Sequence, residues 1–235
     1  MTHQPFDAAQ DLADSPRVGG RQRPKDAATL ILTRGDKNLE VLMGRRAKGH
    51  VFMASKWVFP GGRIDPSDFR AAYTGELNPD TARRLEMEMP AHRARALALT
   101  AVRETFEETG LILGRSAPVA SVAGPWRDYR QAGALPDLSA LTYVARAITP
   151  PGRTRRFDAR FFTAPIEALR DPDRIVGSGE LDEIAWVPVA EAMVLDLPSI
   201  TRFVLGEALE RLDNPNRPLP FVRMVHGQHR IEHRE

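Results

Sequence analysis

Residues 103–111 read Arg103-Glu104-Thr105-Phe106-Glu107-Glu108-Thr109-Gly110-Leu111, a run that gathers three carboxylates on one stretch of helix. Glu104, Glu107 and Glu108 stand at i, i+3 and i+4, so their Cβ atoms lie about 5–6 Å apart on neighbouring turns and share a face. Leu99, Val102 and Phe106, spaced three and four apart, form a separate apolar stripe that turns toward a core. Gly110 reads as a left-handed C-terminal cap, which puts Glu107 and Glu108 in the last turn, at the negative end of the helix dipole. Each such charge costs roughly 0.3–1 kcal/mol, and each like-charged pair a further ~0.2–0.5 kcal/mol, unless something positive compensates. Carboxylate oxygens are the ligands that Mg²⁺ or Mn²⁺ prefers, and Arg103 can pair with one of the glutamates to hold it in place. An isolated E-x-x-E-E is most often a solvated acidic face. The sequence upstream argues otherwise.

At Trp57-Val58-Phe59-Pro60-Gly61-Gly62-Arg63-Ile64-Asp65 a short apolar strand runs into a Pro-Gly-Gly turn, whose glycines allow the backbone to approach a ligand closely. With both stretches in view the chain resembles the Nudix hydrolases, whose signature is G-x5-E-x7-R-E-U-x-E-E-x-G-U, U being a bulky apolar residue. Arg103, Glu104, Glu107, Glu108, Gly110 and Leu111 match the second half, with Thr105 at the first U. Gly62 supplies the opening glycine, but five residues on stands Asp68 rather than Glu, and residues 69–102 replace the usual seven. An insertion there is similar to the coenzyme A diphosphatase branch. Phe52-Met53 before the Pro-Gly-Gly turn and Arg156-Phe157-Asp158-x-Arg160-Phe161-Phe162 downstream carry that narrower resemblance.

The resemblance implies an α/β/α sandwich with a mixed β-sheet and a helical insertion, and metal-assisted attack of water on a pyrophosphate. It implies Glu107 and Glu108 as metal ligands, Glu104 as a ligand or the base, the main-chain carbonyl of Gly62 in the shell, and Arg103 as the orienting partner. Members of the family also recruit a glutamate from a loop before the last strand, for which Glu180 and Glu183 are the candidates; Glu183 stands beside Glu104 as an expected catalytic residue, with Glu104 favoured as the base.

With 42% hydrophobic and 27% charged residues over 235 positions, the chain has the balance of one globular domain with decorations. The absence of cysteine excludes disulfides, thiolate metal sites and a cysteine nucleophile, and suits a reducing cytoplasm. No signal-peptide core or run of ~18 apolar residues is present, so no membrane association is expected. A formal charge of +2 is too small to argue for nucleic acid, although Arg45, Arg46, Lys48 and Lys56 cluster before the Gly-Gly turn. The histidines share no metal-binding spacing.

Residues 1–24 show no periodicity and read as a flexible arm, followed by a Nudix domain over 25–212 and a C-terminal extension over 213–235. Apolar runs Ala28–Leu32 and Leu39–Met43 around Gly35-Asp36-Lys37-Asn38 predict a hairpin. In the insertion at about 69–89, Asn78-Pro79 predicts an N-capped helix through Met87, either a lid over the site or a surface excursion packed by Leu85, Met87 and Met89. Pro90 starts the long helix that carries the glutamates. Downstream, strands are predicted at Val119–Val122, Leu141–Ile148, Asp158–Thr163 and Glu183–Val187, and helices at Pro125 to Gly133, Val189–Val194 and Pro198–Leu212. Phe221–Val225 and Arg230–His233 read as an extra hairpin, either a homodimer arm or a cap on the fold.

The favoured function is hydrolysis of a small nucleotide-type substrate, a nucleoside diphosphate linked to another group, with coenzyme A or acyl-coenzyme A first and ADP-ribose or a nucleotide sugar second. Arg45, Arg46 and Lys48 are the expected clamp for the 3′-phosphate of coenzyme A. A noncatalytic Nudix-fold sensor is a second class, expected to lack part of the acidic triad, whereas Glu104, Glu107 and Glu108 are all present; a Nudix-fold isomerase of isoprenoid diphosphates is a third, and it would need a cysteine that the sequence lacks.

Overall fold

The computed structural model describes residues 5–14, 20, 22–47 and 55–234. Among them, in chain order, are α1 (Ala8–Asp14), β1 (Lys25–Arg34), β2 (Glu40–Arg46), β3 (Trp57–Val58), β4 (Gly61–Arg63), α2 (Pro79–Glu86), α3 (Ala91–Thr109) and β5 (Gly114–Ser116). There follow α4 (Arg127–Gln131), β6 (Ala134–Pro136), β7 (Thr142–Ile148), β8 (Phe157–Pro165), β9 (Leu181–Pro188), α5 (Val189–Ala192), α6 (Ser199–Asp213), β10 (Leu219–Val225) and β11 (Gln228–Arg234).

One mixed sheet runs β11-β10-β7-β8-β1-β2-β3, with β4 paired to β1 and β9 to β2. The β1–β8 and β7–β10 pairs are parallel and the others antiparallel. Alternation along β1 explains the layering. Ala28, Leu30 and Leu32 join the core under α2 and α3, whereas Ile31, with Val41 and Met43 of β2, joins the core under α5 and α6. The result is the expected α/β/α sandwich. The decisive detail lies on the side of β1 away from β8. Its first half pairs with β4 (Ala27 with Arg63, Ala28 with Gly62, Thr29 with Gly61) and its second half with β2 (Thr33 with Val41, Arg34 with Glu40). The glycine turn is thus held against the middle of the sheet.

The predicted hairpin forms as β1 and β2, and Asn78 caps α2 through its side-chain oxygen, which accepts from Thr81 N at 2.9 Å. That helix is no lid. Leu85 and Met89 are buried in the core under α3 and Thr81 Oγ1 donates to Leu141 O at 3.1 Å, whereas Met87, expected to pack with them, is exposed. The strand expected at Val119–Val122 is absent from the described residues, because its neighbour β5 pairs with β6 instead and leaves Val119 exposed. Part of the expected flexible arm is a helix, α1. Phe6 meets Phe203 edge-on at 5.9 Å, Ser199 Oγ donates to Asp7 O at 2.7 Å, and Gln10 Nε2 donates to Leu197 O at 3.2 Å. These contacts are all long-range, which is why seven residues of helix left no periodic signal. The C-terminal hairpin extends the main sheet through β10 and β7.

Candidate active site

The acidic helix α3 begins after Pro90, runs through residues of high helix propensity, and ends at Gly110, whose φ of 74° is the left-handed conformation that glycine adopts without a steric penalty. Leu99 and Val102 are buried and Phe106 packs against the same core, which fixes the rotation of the helix. Thr105, at a position where a bulky apolar residue is usual, is fully buried and donates its hydroxyl to Ala101 O at 2.8 Å, so it adds no unsatisfied group.

Arg103 organises the site. It is buried, and all five of its N–H groups have acceptors: Nε and Nη2 reach Asp68 at 2.9 and 3.0 Å, Nη1 reaches Glu104 and Glu107 at 2.8 Å each, and Nη2 also reaches Arg63 O at 3.0 Å. Burial alone would make Arg103 easier to deprotonate, but Asp68, Glu104 and Glu107 more than offset it and hold the guanidinium charged. Asp68 has no solvent exposure and also accepts from Trp126 Nε1 at 2.9 Å and from Asp65 N at 2.9 Å, with Thr100 Oγ1 at 2.8 Å. Asp65 makes the turn that aims it, accepting from Ser67 N at 2.8 Å and Ser67 Oγ at 2.6 Å. Asp68 is therefore the carboxylate partner of Arg103 at the position where the signature has Glu, a role that spacing from Gly62 marked but the sequence reading did not assign.

The glutamates are correspondingly perturbed. Burial pushes Glu108 up to about 8, against the pull of Arg46 and of its hydrogen bond from Gly61 N at 3.0 Å. Burial likewise pushes Glu107 up to about 7 and raises Glu104, in both cases opposed by Arg103. A Cβ at Gly62 would stand 2.4 Å from Glu104 Oε2, so a larger residue there would displace that carboxylate. Buried carboxylates with so few donors have the chemistry of ligands for a hard divalent cation. Among the described residues no three acidic or histidine groups meet at one point as they stand, and Glu104 and Glu107 both accept from Arg103 Nη1. Glu104 and Glu108 face a cavity of about 610 Å³, together with Gly61, Gly62, Arg46 and Glu180.

The remaining sequence candidates divide. Arg46 lines the cavity, but Arg45 does not: it pairs across strands with Glu183, Nη2 to Oε2 at 3.1 Å, and both side chains are about half exposed. Glu183 is thus placed outside the cavity and Glu180 inside it. Between Arg45 and Arg46 the β2–β9 register shifts from Arg45–Glu183 to Arg46–Leu181. Lys48, with Phe52 and Met53, lies outside the described residues.

No family model matches the chain. It is 27% identical to the acyl-coenzyme A diphosphatase NUDT19 of Gallus gallus over 68% of its own length and 56% of that protein's, so it spans little more than half of this relative. It is 26% identical to the acyl-coenzyme A diphosphatase NUDT19 of Homo sapiens, over 88% of this chain and 74% of that one. Among solved structures, the Nudix hydrolase from Alicyclobacillus acidocaldarius superposes with a TM-score of 0.62 at 29% identity, covering 82% of this chain and 97% of that one. A shared fold over nearly the whole of that protein, and a helix that brings Glu104 and Glu108 against the Gly61-Gly62 turn, make the chain similar to the Nudix hydrolases in fold and in its acidic helix.

Proposed function

We propose that the protein is a divalent-metal-dependent diphosphatase that cleaves the pyrophosphate of a nucleoside diphosphate linked to another moiety, with coenzyme A or acyl-coenzyme A as its substrate. The observation that carries this reading is that Glu104, Glu108 and Glu180 line one cavity large enough for such a molecule. The likeness to two acyl-coenzyme A diphosphatases supports the choice of substrate.

Glu104, Glu107 and Glu108, with the Gly62 carbonyl, are the groups that would hold Mg²⁺ or Mn²⁺. When bound, the cation neutralises phosphate oxygens and acidifies water. Arg103 acts through the glutamates: its Nη1 holds Glu104 and Glu107, and Asp68 holds Arg103. Glu180 is exposed at the cavity rim and close enough to raise Glu104 and Glu108 by its charge. It is the better placed acceptor for the proton of the attacking water, in place of Glu183. The water oxygen bonds to one phosphorus, the bridging oxygen leaves with the other phosphate, and the proton passes to Glu180. A cysteine-free chain of this kind suits the cytoplasm.

The test is hydrolysis of coenzyme A, ADP-ribose and nucleotide sugars with Mg²⁺ or Mn²⁺, products resolved by mass, in wild type and Glu180→Gln. Coenzyme A is expected to yield 4′-phosphopantetheine and adenosine 3′,5′-bisphosphate, and the variant to lose on the order of 10²-fold in kcat with KM little changed. Faster turnover of ADP-ribose would discard the coenzyme A assignment. A fully active Glu180→Gln would discard the base.

A further inference from the structure

Away from Glu104 and Glu108, the sheet itself forms the floor of the cavity. Ala27 of β1 pairs with Ala159 of β8, Ala159 with Ala147 of β7, and Ala147 with Val222 of β10, and all four line the space. Three methyl side chains in a row across three strands leave room that larger residues would fill, and Phe6, Phe157 and Phe161 stand around it. Glu104, Glu108 and Glu180 line it beside Arg46 and Arg63 near the Gly61-Gly62 turn, whereas Lys25, Arg153, Arg155 and Arg156, with Asp11, line it around the start of β1 and the turn between β7 and β8.

The basic groups do different work. Arg156 donates to Thr149 O at 2.9 Å and Gln22 O at 2.6 Å and so fixes the turn between β7 and β8, while Arg153 donates to Asp11 O at 2.9 Å. Asp11 is engaged further by His229 at 3.0 Å. Lys25 and Arg155 are exposed, line the same cavity, and make no side-chain hydrogen bond or ion pair among the described residues. Lys25 lies three residues along β1 from Ala28, the partner of Gly62, a separation of about 10 Å. Two cations facing one recess beside two more, without a carboxylate of their own, are the arrangement that an anion completes.

We propose that the basic part of the cavity is a second anion subsite, in which Lys25 and Arg155 clasp a phosphate that the substrate carries beyond its scissile pyrophosphate. The inference rests on the diphosphatase reading for placing the pyrophosphate beside Glu104 and Glu108, and it moves the phosphate clamp from Arg45, Arg46 and Lys48 to Lys25 and Arg155. A ribose bearing phosphates on two hydroxyls spans the two groups, its base lying over the alanine floor. The subsite would therefore select a 3′-phosphorylated nucleotide over its dephosphorylated counterpart.

The experiment compares wild type with the Lys25→Ala, Arg155→Ala double variant, whose changed side chains are exposed and leave the cores intact. Calorimetric titration of metal-free protein with adenosine 3′,5′-bisphosphate and with AMP reads the subsite without catalysis. Wild type is expected to bind the bisphosphate roughly 10- to 100-fold more tightly than AMP, and the double variant to bind the two within about threefold. The same collapse is expected in the kcat/KM ratio of coenzyme A to dephospho-coenzyme A. Equal affinities in wild type, or a preference that survives in the variant, would overturn the subsite. A preference that depends on these residues in a protein that does not hydrolyse coenzyme A would keep the subsite and discard the substrate. Hydrolysis of coenzyme A without any such preference would do the reverse.

Discussion

Asp68 is the residue on which the rest of the site leans. Its carboxylate neutralises a buried guanidinium, and the same guanidinium holds two of the three glutamates in place. Such a pair is expensive to break from one side, because the surviving charge stays buried without its partner. Asp68→Ala is expected to cost about 3–5 kcal/mol in urea unfolding and to lower kcat more than any change confined to the cavity rim, since Glu104 and Glu107 lose their common anchor. A loss below about 1 kcal/mol would show that Arg103 is held by the glutamates alone.

At the scale of the element, α3 ends in carboxylates that the fold itself disfavours. Glu108 and Glu107 are pushed by burial to about 8 and about 7 from an ordinary value of 4.5. Their folded-state values lie above the unfolded ones, so between pH 4.5 and 8 the folded chain binds more protons than the unfolded chain. Stability of the metal-free protein is therefore expected to be fullest below about pH 4.5 as far as these groups are concerned, and to decline as pH rises toward 8. The thermal midpoint measured without metal should fall across that window, fall less in Glu108→Gln, and recover at pH 8 when Mg²⁺ is added. A midpoint that is flat from pH 5 to 8 in metal-free wild type would contradict the burial assigned to this helix end.

For the molecule as a whole, what could be read from sequence was what local chemistry determines. Asn78-Pro79, Pro90 and Gly110 each specify a helix end through their own backbone, and α2 and α3 lie between them. The β1–β2 hairpin followed from alternation around a turn at Gly35. What escaped depends on distant partners. Asp68 meets Arg103 across 35 positions, α1 is held by Phe203 and Ser199, and the alanine floor exists only through the register of β1, β8 and β7. Glu180 and Glu183 are indistinguishable by type, and only the folded chain places Glu180 at the cavity and Glu183 against Arg45. Val119–Val122 has apolar residues but no strand to pair with, since β5 takes β6.

The glutamates of α3 are the proposed metal site for hydrolysis, and Glu108 is the most buried of them. Glu108→Gln keeps the shape and the hydrogen bond from Gly61 available while removing the anionic charge. Steady-state hydrolysis of coenzyme A at saturating Mg²⁺ is expected to fall by roughly two to three orders of magnitude in this variant, with the metal-free fold at least as stable as wild type. Turnover at the wild-type rate would contradict the assignment of the site.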